Sequence, residues 1–416
     1  MTPYTPHLAW IDLQADQMRN LLHAWCNLNT GTFNPLGLSE LADLVQGEFA
    51  KIADETALVP AEKAEQIDNH GNRISLRLGP NVSAIRRPDA GVRVLLAIHM
   101  DTVYGPDSPF QSVNLIDENT LQGPGVADAK GGLIVMLFAL KALERFVQLT
   151  GQKRLGWEVI VNSDEEIGSP GSTPLFANAA KSAQIGLLFE PSLPHGGLIS
   201  SRKGSGNFSI VAQGQSAHAG RDFHLGRNAV VAAAAVTGEL HKLNGRWPEM
   251  TLNVARIDGG GPSNMVPALA VARLNIRYTD RKHEPEIKNT IDEILTRVSS
   301  QTGVPLSLNG EFTTPPKQVT PALEAMFKQL QSCGQKLELE LAWGPSGGSC
   351  DGNRLAALGV PNLDTMGVRG GKIHSPEEYV LLDSLTERAK LTALYLMRLA
   401  DGGLSPPVVP GASASH

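Results

Sequence analysis

From about residue 90 the chain alternates short apolar runs of β type with stretches of helical period. Val92 to Ile98, Trp157 to Val161 and Ile185 to Phe189 read as strands, and Leu133 to Phe146 reads as a helix. The strands are apolar at both alternating sets of positions, which is the pattern of a largely parallel sheet covered by helices on both faces. Near residue 204 the rhythm changes. Strand (Asn207 to Gln213), helix (Asn228 to Leu243), strand (Thr251 to Ile257), strand (Ala270 to Tyr278), helix (Pro285 to Ser299) and strand (Pro305 to Glu311) follow in turn. This βαββαβ order predicts a ferredoxin-like module. After Thr313-Thr314-Pro315-Pro316 the α/β style resumes with a helix near Leu323 to Ser332. A last helix is expected to open on a capping box, Ser384-Leu385-Thr386-Glu387, ahead of Ala389, Ala393 and Leu396 on one face. The expected fold class is therefore α/β, with a mainly parallel-sheet domain (1–203 and 315–403), an inserted ferredoxin-like module (204–314) and a flexible tail (404–416) rich in Gly, Pro, Ser and Ala.

Length agrees with this division: 416 residues, at roughly 150 per domain, suggest two or three domains. A hydrophobic content of 42% with 19% charged residues belongs to a folded chain and not to a disordered one. The net charge of −6, with no Lys/Arg run long enough to track phosphates, argues against nucleic acid as a partner and leaves a small molecule. Cys26, Cys333 and Cys350 are odd in number and far apart, so no disulfide framework is expected and a reducing, cytoplasmic compartment fits. The N-terminal stretch carries acids and no continuous apolar core, which predicts no secretory signal and no membrane role.

Candidate chemistry sits in five short segments that follow β-type runs or occupy Gly-rich loops: IHMDTVYG, GPGVADAKGG, VNSDEEIGS, LLFEPS and GGKIHSPEE. In open α/β sheets, sites form beyond the carboxyl ends of strands, so these segments can converge. His99 and His374, with Asp128, Glu166 and Glu190, make a mixed N/O donor set suited to Zn²⁺ or another divalent ion. One bridging carboxylate plus two ligands per ion would turn these five into a two-metal centre. Asp101, two residues beyond His99 on an extended strand end, can orient the imidazole without touching metal. Adjacent Glu165 and Glu166 can divide the work, one binding metal while the other moves a proton. GPGVADAKGG lacks the spacing of a phosphate-binding loop and carries an acid where phosphate would be repelled.

Taken together, HMDTVYG, GPGVADAKGG, NSDEEIGSPGS, FEPS, GGSCDGN and GGKIHSPEEYV resemble the M20 family of metallopeptidases, nearest to its glutamate carboxypeptidase (carboxypeptidase G2-like) branch. The resemblance runs from roughly residue 90 to 400. It implies two zinc ions, one held by His99 and Glu190, the other by Glu166 and His374, with Asp128 between them. It further implies that Asp101 supports His99, that Glu165 is the general base and acid, and that the Asp128-Ala129 bond is cis. The inserted module would be a dimerisation or lid domain on a catalytic di-metal domain. His218, in GQSAHAGRDFH, would reach the partner subunit's site, making the homodimer the working form. Asn264, Arg277 and Gly348 would hold the substrate, a small peptide or N-acyl amino acid with a free carboxylate.

The loop Gly347-Gly348-Ser349-Cys350-Asp351 departs from the carboxypeptidase G2-like pattern towards the deacylases. An N-acyl-amino-acid deacylase (acetylornithine or succinyl-diaminopimelate type) or a dipeptidase is thus an alternative, and a non-catalytic metal-binding protein is an alternative of another class. Cys350 has no adjacent base and reads as a buried structural thiol. His224 reads as a surface or lid-contact residue.

Overall fold

The computed structural model describes residues 2–407. Its principal sheet has six strands in the order Glu55–Val59, Asn81–Arg86, Leu155–Asn162, Val92–His99, Ile185–Leu188 and Asn362–Leu363. The last four run parallel to one another, and the first two join antiparallel at one edge. Leu155–Asn162 is buried along its whole length and Val92–His99 at every position but Arg93, as expected for strands covered on both faces. The helix Lys130–Thr150 supplies much of that cover, with fifteen buried residues from Lys130 to Val147, and packs against the C-terminal helix Asp383–Ala400.

Two glycines let the long helix begin against the strand ends. A Cβ at Gly132 would lie 1.9 Å from the Phe189 carbonyl, and one at Gly131 would lie 2.4 Å from the Val126 carbonyl. No side chain fits there, so GGL at the start of the helix sets the distance between Asp128 and the strand leading to Glu190.

Between Gly204 and Thr314 a separate antiparallel sheet forms, in the order Thr251–Gly259, Leu269–Tyr278, Gly204–Gln213, Leu306–Thr314. With helices Ala229–His241 and Glu284–Thr302 this is the βαββαβ sequence expected. Phe208, Ile210, Leu274 and Ile276 pack with Val236, Leu240, Ile291 and Leu295 into its own core.

The C-terminal helix corrects one expectation. Ser384 does not cap it: the helix starts at Asp383, and Leu382 at the N-cap makes no side-chain bond. The Ser384 hydroxyl donates back to the Leu381 carbonyl (2.5 Å) and accepts from the Arg369 N–H (2.9 Å), while Glu387 pairs with Arg369. The capping-box spacing is met, but tertiary partners claim both side chains. Of the tail, Leu404 packs on the core and its N–H donates to the Arg398 carbonyl (2.7 Å), while 408–416 lie outside the described residues. No helix among the described residues is long and apolar enough to cross a membrane.

Candidate metal centre

His99 is the last residue of its strand, and Glu166 and Glu190 follow the carboxyl ends of the two strands that flank it. Asp128 comes in from the turn before the long helix, across a cis Asp128-Ala129 bond. The two oxygens of Asp128 divide between two imidazoles. Oδ1 lies 3.1 Å from His99 Nε2, and Oδ2 lies 3.2 Å from His374 Nε2. Each imidazole has a second carboxylate: Glu190 at 3.8 Å from His99 and Glu166 at 3.1 Å from His374. Neighbouring ligand atoms on a tetrahedral ion with bonds of about 2.0–2.1 Å sit about 3.3 Å apart, so these spacings fit the donor set to divalent ions. His99, Asp128 and Glu166 alone offer three ligand atoms within 4.8 Å of one another.

The electrostatics agree. Burial would depress the His99 pKa, but Asp101, Asp128 and Glu190 hold it well above the usual imidazole range. Burial raises Glu190 to about 8 and Glu165 far above the ordinary carboxyl range. Asp128, also buried, is nevertheless held low by the two imidazoles. Carboxylates thus outnumber the cationic groups among them, and divalent ions would relieve that imbalance.

Asp101, fully buried, organises the centre from behind. Its carbonyl lies 3.0 Å from His99 Nδ1, so Nδ1 carries a proton, and in the neutral imidazole that a metal ion would require Nε2 would be the lone-pair donor. Its carboxylate accepts from the N–H groups of Glu165 (3.1 Å) and Glu166 (3.2 Å) and from the Thr32 hydroxyl (2.7 Å). One aspartate therefore fixes both the imidazole and the Glu165-Glu166 turn.

Several supporting residues escaped the sequence reading. The Glu378 carboxylate accepts from the N–H groups of Ala127 and Asp128 (3.0 Å each) and from the Tyr104 hydroxyl (3.1 Å). Tyr104 also donates to the Ser375 carbonyl (2.8 Å), tying the His374 loop to the same point. Burial, with Asp128 nearby, raises Glu378 to about 7. Glu378 stands in a quoted motif beside the exposed Glu377, and only burial distinguishes the two. Asp351 accepts from Asn162 (2.8 Å) and Ser169 (2.6 Å), bracing the turn that carries Glu165. Thr32 left no signal at all.

Arg277 stands at the edge of the cluster, its guanidinium donating to Ser349 Oγ (2.7 Å) and Asn275 Oδ1 (2.9 Å). Burial lowers its pKa, and the charge of Glu165 opposes that shift. His218, Asn264 and Gly348 are exposed, and the Gly348 carbonyl accepts from the Arg202 guanidinium (3.4 Å). The Ala219 N–H donates to the Asn264 carbonyl (2.9 Å), and His218 pairs with Met265. The Gly348 N–H donates to Ser346 Oγ (3.2 Å). His224 is exposed. Cys350 is buried, donates to Asp364 (3.3 Å), and burial pushes its thiol pKa far up, which leaves no nucleophile.

An α/β sheet that gathers two imidazoles and these carboxylates in one crevice defines the class, a metallohydrolase of peptide or other amide C–N bonds. More particularly, the chain belongs to Peptidase family M20/M25/M40, whose family model matches residues 95–398. It is similar to carboxypeptidase G2 of Pseudomonas sp. (strain RS-16), 26% identical over 388 residues, covering 90% of this chain and 88% of that one. A succinyl-diaminopimelate desuccinylase of Alkalilimnicola ehrlichii is 27% identical over 334 residues, covering 76% of this chain and 86% of that one. Among solved structures, the di-peptidase Dug1p of Saccharomyces cerevisiae has the same fold, with a TM-score of 0.76 at 15% identity, over 98% of this chain and 100% of that one.

Proposed function

We propose that this protein is a dimeric, cytoplasmic, zinc-dependent carboxypeptidase that cleaves an amide bond next to a free carboxylate, as at a C-terminal glutamate. The observation that carries this reading is the division of the Asp128 oxygens between His99 and His374, each with a carboxylate of its own. In this reading His99 and Glu190 would hold one ion and Glu166 and His374 the other, with Asp128 shared between them. Ions so held supply Lewis acidity, polarising the scissile carbonyl and lowering the pKa of the attacking water.

Glu165, the neighbour of Glu166 on the same turn, takes the proton from the attacking water and delivers it to the leaving amine. Arg277 holds the substrate carboxylate, with Asn264 and Gly348 as further contacts. His218 accepts at Nδ1 from the N–H groups of Gly220 and Arg221 (3.1 Å each), so its proton is on Nε2, free to be donated to an oxyanion in the partner's site. Exposed Phe223, Leu225 and Met265 beside it suit a subunit interface.

The second reading, an N-acyl-amino-acid deacylase, draws support from the desuccinylase relative and from Ser349-Cys350 in the loop that meets Arg277. A panel of peptidyl and N-acyl amino acids tests both, run with zinc-loaded protein, chelated protein and Glu165→Gln. Hydrolysis is expected only in the first, with Glu165→Gln at least about 100-fold slower. Release of C-terminal glutamate favours the carboxypeptidase and release of acetate or succinate the deacylase. Turnover indifferent to chelation and to Glu165→Gln would end both readings.

A further inference from the structure

A cavity-forming element lies ahead of the family-matched residues. Glu65–Ile67 and Arg73–Ser75 pair as a hairpin whose tip is held by the Asp68 carboxylate, which accepts from the N–H groups of His70 and Asn72 (2.8 Å each). The hairpin does not stand free. Arg273 of the inserted sheet donates to the Ile67 carbonyl (2.9 Å) and to Asn69 (2.6 Å), and Ile67 packs with Val211 and Val271. Gly71 at the tip comes so near that a Cβ would meet Val211 at 2.8 Å.

Between this hairpin and the polar face of the sheet runs a cleft of about 720 Å³ that ends on Glu166 of the metal centre. Its sheet side presents Asn207, Asn275 and Asn309; Asn207 stands opposite Asn275, and Asn309 opposite Ser209. Arg73 reaches across from the hairpin to Asn309 (3.5 Å) and lies 3.7 Å from Glu65 of its own hairpin, long contacts on a side chain that is 70% exposed. The one aromatic residue among those lining the cleft, Phe208, is only 3% exposed and offers no ring to stack on.

We infer that this cleft, walled by the Glu65–Ser75 hairpin, receives the acyl side of the substrate and selects a peptide-like chain. The inference rests on the hydrolase reading above. An extended peptidyl group brings amide donors and acceptors every few ångströms, which match Asn309 and the loosely held Arg73; Asn207 and Asn275 already pair with each other (2.7 Å) and Asn275 with Arg277 (2.9 Å). A short acyl group would not reach Arg73 and Asn309, and an aromatic acyl group would offer them no hydrogen-bonding partner.

The test compares N-acetyl-glutamate, N-benzoyl-glutamate and tripeptides ending in glutamate as substrates of the zinc-loaded dimer, for wild type, Arg73→Ala, Asn309→Leu and Gln66→Ala. Wild type is expected to favour the tripeptides, and each of the first two variants to raise their KM about 10-fold, as for the loss of one good hydrogen bond, with KM for N-acetyl-glutamate unchanged. Gln66→Ala, on the exposed hairpin strand, gives the same split on a smaller scale should Asn309→Leu fail to fold. Equal effects on short and long substrates, or none, would overturn the cleft assignment while leaving the hydrolase reading standing. Wild type inert towards the whole panel would overturn both.

Discussion

Asp101 concentrates more of the site's geometry than any ligand does. It orders His99 through its carbonyl and the Glu165-Glu166 turn through its carboxylate. The spacing His-x-Asp leads one to expect the Asp101 side chain beside the imidazole, because residues two apart on an extended strand share a side; the 3.0 Å contact to Nδ1 is made by its backbone carbonyl, with the carboxylate 3.3 Å away. The second role joins segments 64 residues apart and leaves no local pattern. Asp101→Asn keeps the shape but turns an amide NH₂ towards one of those N–H donors. We expect zinc affinity to fall about 10- to 100-fold by competition with a chromophoric chelator; unchanged affinity would mean that Asp101 is a spectator. Asp364 is a different case, a buried carboxylate between Arg202 (2.5 Å) and Lys317 (3.6 Å). Burial alone would raise its pKa, but the two cations hold it well below the carboxylate range. A depressed carboxyl contributes stability above its unfolded pKa and loses it as pH falls through the folded value. Asp364→Asn should therefore cost about 3–5 kcal/mol near neutral pH in denaturant unfolding, with the deficit shrinking under strong acid. A loss below about 1 kcal/mol would contradict the pairing.

At the scale of elements, apolar periodicity served well where burial was two-sided. The strands of the central sheet and the helix over Leu133 to Phe146 lie where the pattern put them, though the helix runs from Lys130 to Thr150. It served less well at the termini of elements, as Ser384 shows, since cap motifs are short and the backbone N–H of Arg369, from another part of the chain, occupies the serine hydroxyl in place of the helix's own N–H groups. The first ninety residues also hid their part, because helix Pro35–Phe49 and strands Glu55–Val59 and Asn81–Arg86 carry no chemistry of their own. Gly131 and Gly132 were legible only as a Gly-rich loop; their use appears once the Phe189 carbonyl is seen against them. Gly132→Ala must push the helix off the strand end, and we expect about 1–3 kcal/mol of destabilisation together with weaker metal retention. A thermal melt and metal analysis check both, and an Ala variant as stable and as metal-replete as wild type would refute the close contact.

For the whole molecule, the five expected donors stand together residue by residue, but the assembly left no such mark: the His218 ring accepts only from Gly220 and Arg221 of its own loop among the described residues. If the partner's His218 completes each site, His218→Ala and Glu165→Gln are both inactive alone, yet mixing them with subunit exchange should restore roughly a quarter of wild-type activity. Activity that stays absent on mixing, with exchange verified, would contradict a His218 supplied by the partner. Most direct for the account as a whole is the metal content of the chelated and reloaded protein, measured by titration and elemental analysis beside Asp128→Asn. Two zinc ions per chain in wild type, with both sites weakened by the single substitution, is the predicted result. One ion or none, or two ions indifferent to Asp128→Asn, would contradict the bridged centre on which the proposed function stands.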